Sequence, residues 1–203
     1  SKTEFDALQI GGRNLLKNSN FAEGLAGWKN WGSANREIVD VNGKKFVHIW
    51  TDDTQKFRGI QQEDIPLERG AYYTISFTAY RTSIYTGGAY VLFHQYGDGD
   101  LSPQINQTFN LTEQPQRFTF TFQASTTDDF FRVMIGGQNS VPFDIYITDI
   151  KFEKGNRATD WTPAPEDYDA QFSSINQTID SITTIVQDAQ GDISALQQTT
   201  NSF

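Results

Sequence analysis

The sequence predicts a mainly β protein, a jelly-roll β-sandwich followed by a C-terminal α-helical coiled coil. Three observations predict it. Short segments alternate apolar and polar side chains, turn-forming dipeptides separate them, and an apolar repeat spaced 3 and 4 sets in only near the C-terminal end. Period two with one polar face marks a half-buried strand, and a sustained 3,4 repeat marks a coiled-coil seam.

In chain order, residues 1–10 read as the end of a preceding helix or a linker, and the sandwich is expected over residues 11–162. Phe46, His48 and Trp50 alternate with Val47 and Ile49. Tyr73, Ile75, Phe77 and Ala79 alternate with Thr74, Ser76, Thr78 and Tyr80, and Phe118, Phe120 and Phe122 alternate with Thr119, Thr121 and Gln123. Tyr90 to Tyr96, Phe131 to Ile135 and Ile145 to Phe152 follow the same pattern. Asn42-Gly43, Arg69-Gly70, Gly87-Gly88, Gly97-Asp98-Gly99-Asp100 and Gly136-Gly137 supply turns between them. Tyr73, Phe77, Phe118, Phe120 and Phe122 are assigned to the core. Many short strands with no helical pattern among them favour two packed sheets.

Two prolines, Pro163 and Pro165, place a stiff hinge at residues 163–168, and a coiled-coil stalk is expected over residues 169–203. Its seam is Phe172, Ile175, Ile179, Ile182, Val186, Ala189, Ile193, Leu196, Thr200 and Phe203, nine of the ten apolar. Between them nearly every residue is Gln, Ser, Thr, Asn or Asp. Ile at both seam positions shifts preference from dimers to trimers or tetramers, so a parallel homotrimer is expected.

Charge divides at the same place. Residues 158–203 hold seven acids and no Lys or Arg, against a net charge of −9 for all 203 residues. An acidic chain without a basic face argues against nucleic acid as a partner. The absence of cysteine excludes disulfides, thiolate metal sites and cysteine nucleophiles. Two histidines, His48 and His94, are too few for most metal-hydrolase and triad schemes. No apolar run approaches membrane-spanning length, and the start, Ser1-Lys2-Thr3-Glu4, reads as part of something longer rather than as a signal peptide. Asp52/Asp53, Asp128/Asp129 and Glu166/Asp167 are neighbours in expected loops and read as solvated acids rather than as a glycosidase pair. No enzyme is expected.

Gly11-Gly12-Arg13-Asn14-Leu15-Leu16-Lys17-Asn18-Ser19-Asn20-Phe21, followed by Gly27-Trp28, has a counterpart near the other end. That counterpart is Asp149-Ile150-Lys151-Phe152-Glu153-Lys154-Gly155, followed by Thr159-Asp160-Trp161-Thr162-Pro163-Ala164-Pro165-Glu166-Asp167. Together they resemble the opening and closing signatures of a carbohydrate-binding-like module in tail proteins of phages infecting Gram-positive bacteria, among them receptor-binding, distal tail and tail-associated proteins. The resemblance covers about residues 11–167, with specific motifs only at its two ends. It implies adhesion to host cell-wall polysaccharide without catalysis, in a virion tail acting at the host cell surface beside other tail proteins. The alternative is a structural spacer of a tail fibre that binds no ligand. Packing explains most of each signature: Phe21 and Trp28 are expected in the core, and Trp161 is expected to fold back and close the sandwich.

Saccharide recognition needs flat apolar surface beside hydrogen-bonding groups. The aromatics expected to point away from the core are Trp31, Trp50, Tyr80, Tyr85 and Tyr96, with His94 and Gln95 as polar neighbours. The resemblance also implies one structural calcium, for which Glu23 and Asp149 are the candidate ligands. The acidic residue usual after the Phe of the opening signature is Ala22 here, with Glu23 one place on.

Overall fold

The computed structural model describes residues 11–54, 58–94 and 105–201, and among them the alternating segments form ten strands and one helix. The strands are β1 (Lys29–Trp31), β2 (Asn35–Val41), β3 (Lys44–Thr51), β4 (Gly59–Leu67), β5 (Tyr72–Arg81), β6 (Ala89–His94), β7 (Ile105–Phe109), β8 (Gln116–Gln123), β9 (Asp128–Gly137) and β10 (Phe143–Lys154). They pair antiparallel in two five-stranded sheets, β1-β4-β9-β6-β7 and β2-β3-β10-β5-β8. This is the expected sandwich.

Each sheet turns one face inward. Tyr73, Ile75, Phe77 and Ala79 of β5, Ile145, Ile147 and Phe152 of β10, Val91 and Phe93 of β6, and Phe131, Val133 and Ile135 of β9 are all 3% exposed or less. Phe93 packs its ring 4.8–6.2 Å, centre to centre, from those of Phe120, Phe122, Phe131 and Phe152. Burying each such side chain stabilises the fold by about 1.5–3 kcal/mol before conformational entropy opposes it. Phe118 and Phe120 are only partly buried, because β8 is an edge strand and lacks a neighbour on one side. The two-residue turn between β2 and β3 is Asn42-Gly43, with φ of 54° and 85°; Asn and Gly tolerate the left-handed region that such a hairpin turn requires.

The two signatures meet. Asn14 is fully buried, and its amide nitrogen donates to Ser19 Oγ at 3.1 Å and to the carbonyls of Ile150 and Thr162 at 3.0 Å. Its amide oxygen accepts from Leu16 N–H at 3.0 Å and from Phe152 N–H at 3.2 Å. Trp161 Nε1 donates to Ser19 Oγ at 3.0 Å, so Trp161 folds back onto the opening segment as expected. Phe21 and Trp28 sit in the core, 0% and 8% exposed. The segment after β10 is tied down as well: buried Lys151 donates from Nζ to Thr159 Oγ1 at 2.7 Å and to the Asp160 carbonyl at 2.9 Å, while Glu153 accepts from the Thr159 hydroxyl at 2.7 Å.

The chain divides into two compact units between Ala164 and Pro165. The second is the helix α1 (Pro165–Asn201), so helical structure takes in residues 165–168, which the sequence assigns to a hinge. Proline suits a first helical position, where its missing N–H has no intrahelical partner to lose. Glu166 and Asp167 complement the positive end of the helix dipole. No residue of α1 is buried, and Phe172, Ile175, Ile179, Ile182, Val186, Ile193 and Leu196 of the seam each leave about half or more of their surface exposed. Phe203 lies outside the described residues.

Candidate functional site

The sequence candidates divide between the two outer faces of the sandwich. On the first sheet, strand register sets out the outer face in rows. Tyr90, Gly136, Gly59 and Trp31 lie across β6, β9, β4 and β1; the next row is Leu92, Met134, Gln61 and Lys29. In the third row His94 stands opposite Arg132, and Glu63 lies in the β4 irregularity between Gln62 and Ile65. Gly59 and Gly136 leave no room for a side chain, since a Cβ on either would fall within 2.1 Å of the other strand's carbonyl oxygen.

Trp31 points away from the core, as expected, but it does not stand exposed. It is 7% exposed, its ring is 16° from parallel to that of Tyr90 with centres 6.1 Å apart, and Leu92 and Met134 complete a small apolar cluster. Tyr90, 9% exposed, has its phenol pushed above the ordinary tyrosine value by burial. His94 is half-buried; burial and then the Arg132 guanidinium push its imidazole below the usual value, which favours the neutral ring at neutral pH. Gln95 and Tyr96 lie outside the described residues.

Beside the buried cluster the same face opens into a depression of about 360 Å³ lined by Glu63, Asp64, Phe130 and Arg132. Phe130 is 65% exposed. Glu63 accepts from Lys29 Nζ at 2.9 Å through one oxygen, and its other oxygen lies 3.4 Å from Arg132 Nε. The Lys29 hydrogen bond is the main reason its carboxyl lies below the usual range. Asp64 holds a left-handed φ of 60° in the β4 irregularity, and its side chain is exposed. The depression thus sets an exposed aromatic ring beside a carboxylate acceptor and guanidinium donors. The sequence reading missed it. The Phe130-Phe131 doublet held the signal: neighbours in a strand point to opposite faces, so only one of the two can enter the core.

Trp50 and Tyr80 lie on the outer face of the second sheet, joined by two residues that were not among the candidates. The His48 ring stacks on Trp50 at 4.2 Å and on Tyr146 at 4.3 Å, and Tyr146 stacks on Tyr80 at 4.7 Å, all within 19° of parallel. His48 Nε2 lies 2.5 Å from Asp144 Oδ1 and Nδ1 lies 3.1 Å from Glu37 Oε1. Thr82 Oγ1 donates to the other Asp144 oxygen at 2.6 Å. Burial, with Asp144 a smaller cause, raises the Tyr80 and Tyr146 phenols. The inner rings of this ladder cover one another's faces, so they offer little flat apolar surface to a sugar. Tyr85, half-buried, lies between β5 and β6 and is not part of the ladder.

The expected calcium ligands do not form a fitting donor set. Asp149 Oδ2 lies 2.5 Å from Lys44 Nζ, and its carbonyl accepts from Arg117 Nη1. Lys45 Nζ takes the Ala22 carbonyl at 3.1 Å, and Glu23 is exposed. Calcium needs six to eight oxygens, whereas Lys44 and Arg117 already serve Asp149 and Lys45 serves the carbonyl next to Glu23. Among the described residues no three His, Cys, Asp or Glu side chains group to hold a metal ion.

Similarity to known proteins agrees with the architecture. No curated protein sequence matches the chain. Among solved structures, the CBM22-1 xylan-binding domain of Paenibacillus barcinonensis Xyn10C superposes with a TM-score of 0.57 at 15% identity, covering 72% of this chain and 97% of that one. TmCBM61 in complex with β-1,4-galactotriose gives a TM-score of 0.53 at 17% identity, covering 70% and 99%. The enzymatically active domain of bacteriophage CBA120 tailspike protein 4 gives 0.55 at 12% identity, covering 70% of this chain and 21% of that one. At these identities the likeness establishes the fold alone. The carbohydrate-binding domain profile, in contrast, matches the sequence itself over residues 13–142, well over half of the chain. The chain belongs to that carbohydrate-binding domain family.

Proposed function

We propose that the sandwich binds a host cell-wall saccharide without catalysis, and that α1 assembles into a parallel trimeric coiled coil that displays three copies. The protein is then an adhesion module of a phage tail. The observation that carries the reading is the pairing, in one chain, of a carbohydrate-binding domain with a helix whose apolar seam is exposed at every described position. A second copy of the chain is the occupant that a 3,4-spaced seam fits, because such a seam packs by knobs into holes against its own kind. The signatures around Asn14 and Trp161 support the phage-tail setting. The carboxylates of the depression, Glu63 and Asp64, are sequence neighbours, and Glu63 is engaged by two cations, which suits binding better than acid–base chemistry. Three linked sites strengthen weak binding by up to about 10²–10⁴ where they engage together.

Light scattering on the full chain is expected to give a trimer, and truncation after Ala164 a monomer. Fluorescently tagged trimer is expected to label Gram-positive host cells, with soluble wall polysaccharide competing it off. A monomeric full chain refutes the stalk. A trimer that labels no cell and retains no wall polysaccharide leaves the sandwich as a spacer.

A further inference from the structure

We infer that the sandwich grips the end of a saccharide chain, or a short saccharide, at the Phe130 depression, and does not thread a long chain across its face. This rests on the saccharide reading above and specifies what that site takes. The centre of the outer face of the first sheet is closed: Leu92 and Met134 are 1% and 2% exposed, and Trp31 and Tyr90 lie stacked and buried beside them. That apolar surface is not accessible to a polysaccharide laid across the strands. The glycine pair Gly59 and Gly136 gives no relief, because there the two backbones abut and the aromatic pair flanks them.

The open surface is at the end of the face. A cavity of about 360 Å³ falls at the low end of small-molecule sites, which span roughly 300–1,000 Å³. Its chemistry fits one or two sugar rings. Phe130 offers exposed aromatic surface to the C–H side of a pyranose. The Asp64 carboxylate can accept from hydroxyls, and the Arg132 guanidinium can donate to hydroxyl or ring oxygen. Arg132 and Lys29 share Glu63, which holds the donors in place. The left-handed backbone at Asp64 is the kind of local strain that clusters at ligand sites.

Calorimetry on the full chain tests this, using oligosaccharides of one to six residues cut from the wall polysaccharide that the trimer retains. Soluble monovalent fragments report the single site without avidity. Affinity is expected to level off by two or three residues. Phe130→Ala is expected to weaken binding of every length at least tenfold, with Phe130→Tyr restoring it and the melting transition unchanged; Asp64→Asn should weaken binding several-fold. Affinity that climbs tenfold or more from three residues to six overturns the end-gripping site and leaves saccharide binding standing. So does a Phe130→Ala variant that folds and binds as wild type does. If no wall polysaccharide or fragment binds, saccharide binding itself falls, and this inference with it.

Discussion

Asn14→Ala tests whether the two signatures act as a latch. The side chain is fully buried and makes five hydrogen bonds that join residues 14–19 to residues 150–162. Truncation strips the acceptor from two buried N–H groups, those of Leu16 and Phe152. Each buried donor left unsatisfied costs about 1–3 kcal/mol, so the loss is expected at about 2–6 kcal/mol. The carbonyls of Ile150 and Thr162 lose donors too; Thr162 is exposed and its carbonyl finds water, whereas Ile150 is buried and its carbonyl adds to the loss. Against a typical domain stability of about 5–15 kcal/mol, this is a large fraction. All four tryptophans precede Pro165, so tryptophan fluorescence in urea follows the sandwich and not the helix. With a urea dependence of about 1–3 kcal/mol per molar, the midpoint should fall by about 1 M or more at unchanged slope. A shift equivalent to less than about 1 kcal/mol would refute the latch, for then those donors find other partners once the amide is gone.

Two further outcomes are expected. Glu166, Asp167, Asp169, Asp180, Asp188 and Asp192 give α1 six carboxylates and no cation, so copies brought side by side repel. Raising salt from about 10 mM to 1 M shortens the screening length from about 30 Å to 3 Å and should lower the concentration at which trimers dissociate, read by sedimentation; weaker assembly in salt would contradict a seam held by apolar contact. Calcium added to chelator-treated protein should leave the sandwich melting temperature where it was, because Lys44 already serves the Asp149 carboxylate. A rise of several degrees would reveal a native-state site that this donor arrangement does not account for.

Strict alternation made the central strands legible. Val47 and Ile49, Ile75 and Phe77, and Ile145 and Ile147 all face the core, because a buried face leaves a period-two record. β1, β2, β4 and β7 were not legible. β4 reads Gly-Ile-Gln-Gln-Glu-Asp-Ile-Pro-Leu, and its irregularity shifts the alternation partway along. The helix α1 was legible for the same reason the strands were, a fixed period. Its start was not, since Pro165 can end a hinge or begin a helix, and position alone does not decide which.

The site was less legible than the fold because sequence reports which way a side chain points, not what then covers it. Trp31, Trp50 and Tyr80 all leave the core, and their fates differ through residues far away in sequence. Register brings Tyr90 beside Trp31 across a gap of two glycines, and the pair closes on itself. Register also sets Tyr146 between His48 and Tyr80, and the rings use their faces on one another. Each such stack adds about 0.5–1.5 kcal/mol to the sheet beyond area burial, so an outward aromatic in a sandwich is drawn towards another aromatic before any ligand arrives. Phe130 is the contrast. It stands near the beginning of β9, and 65% of its surface is exposed. On the reading proposed above, a sugar competes poorly for a ring whose face is already covered and better for one that stays exposed, as Phe130 does near the start of its strand.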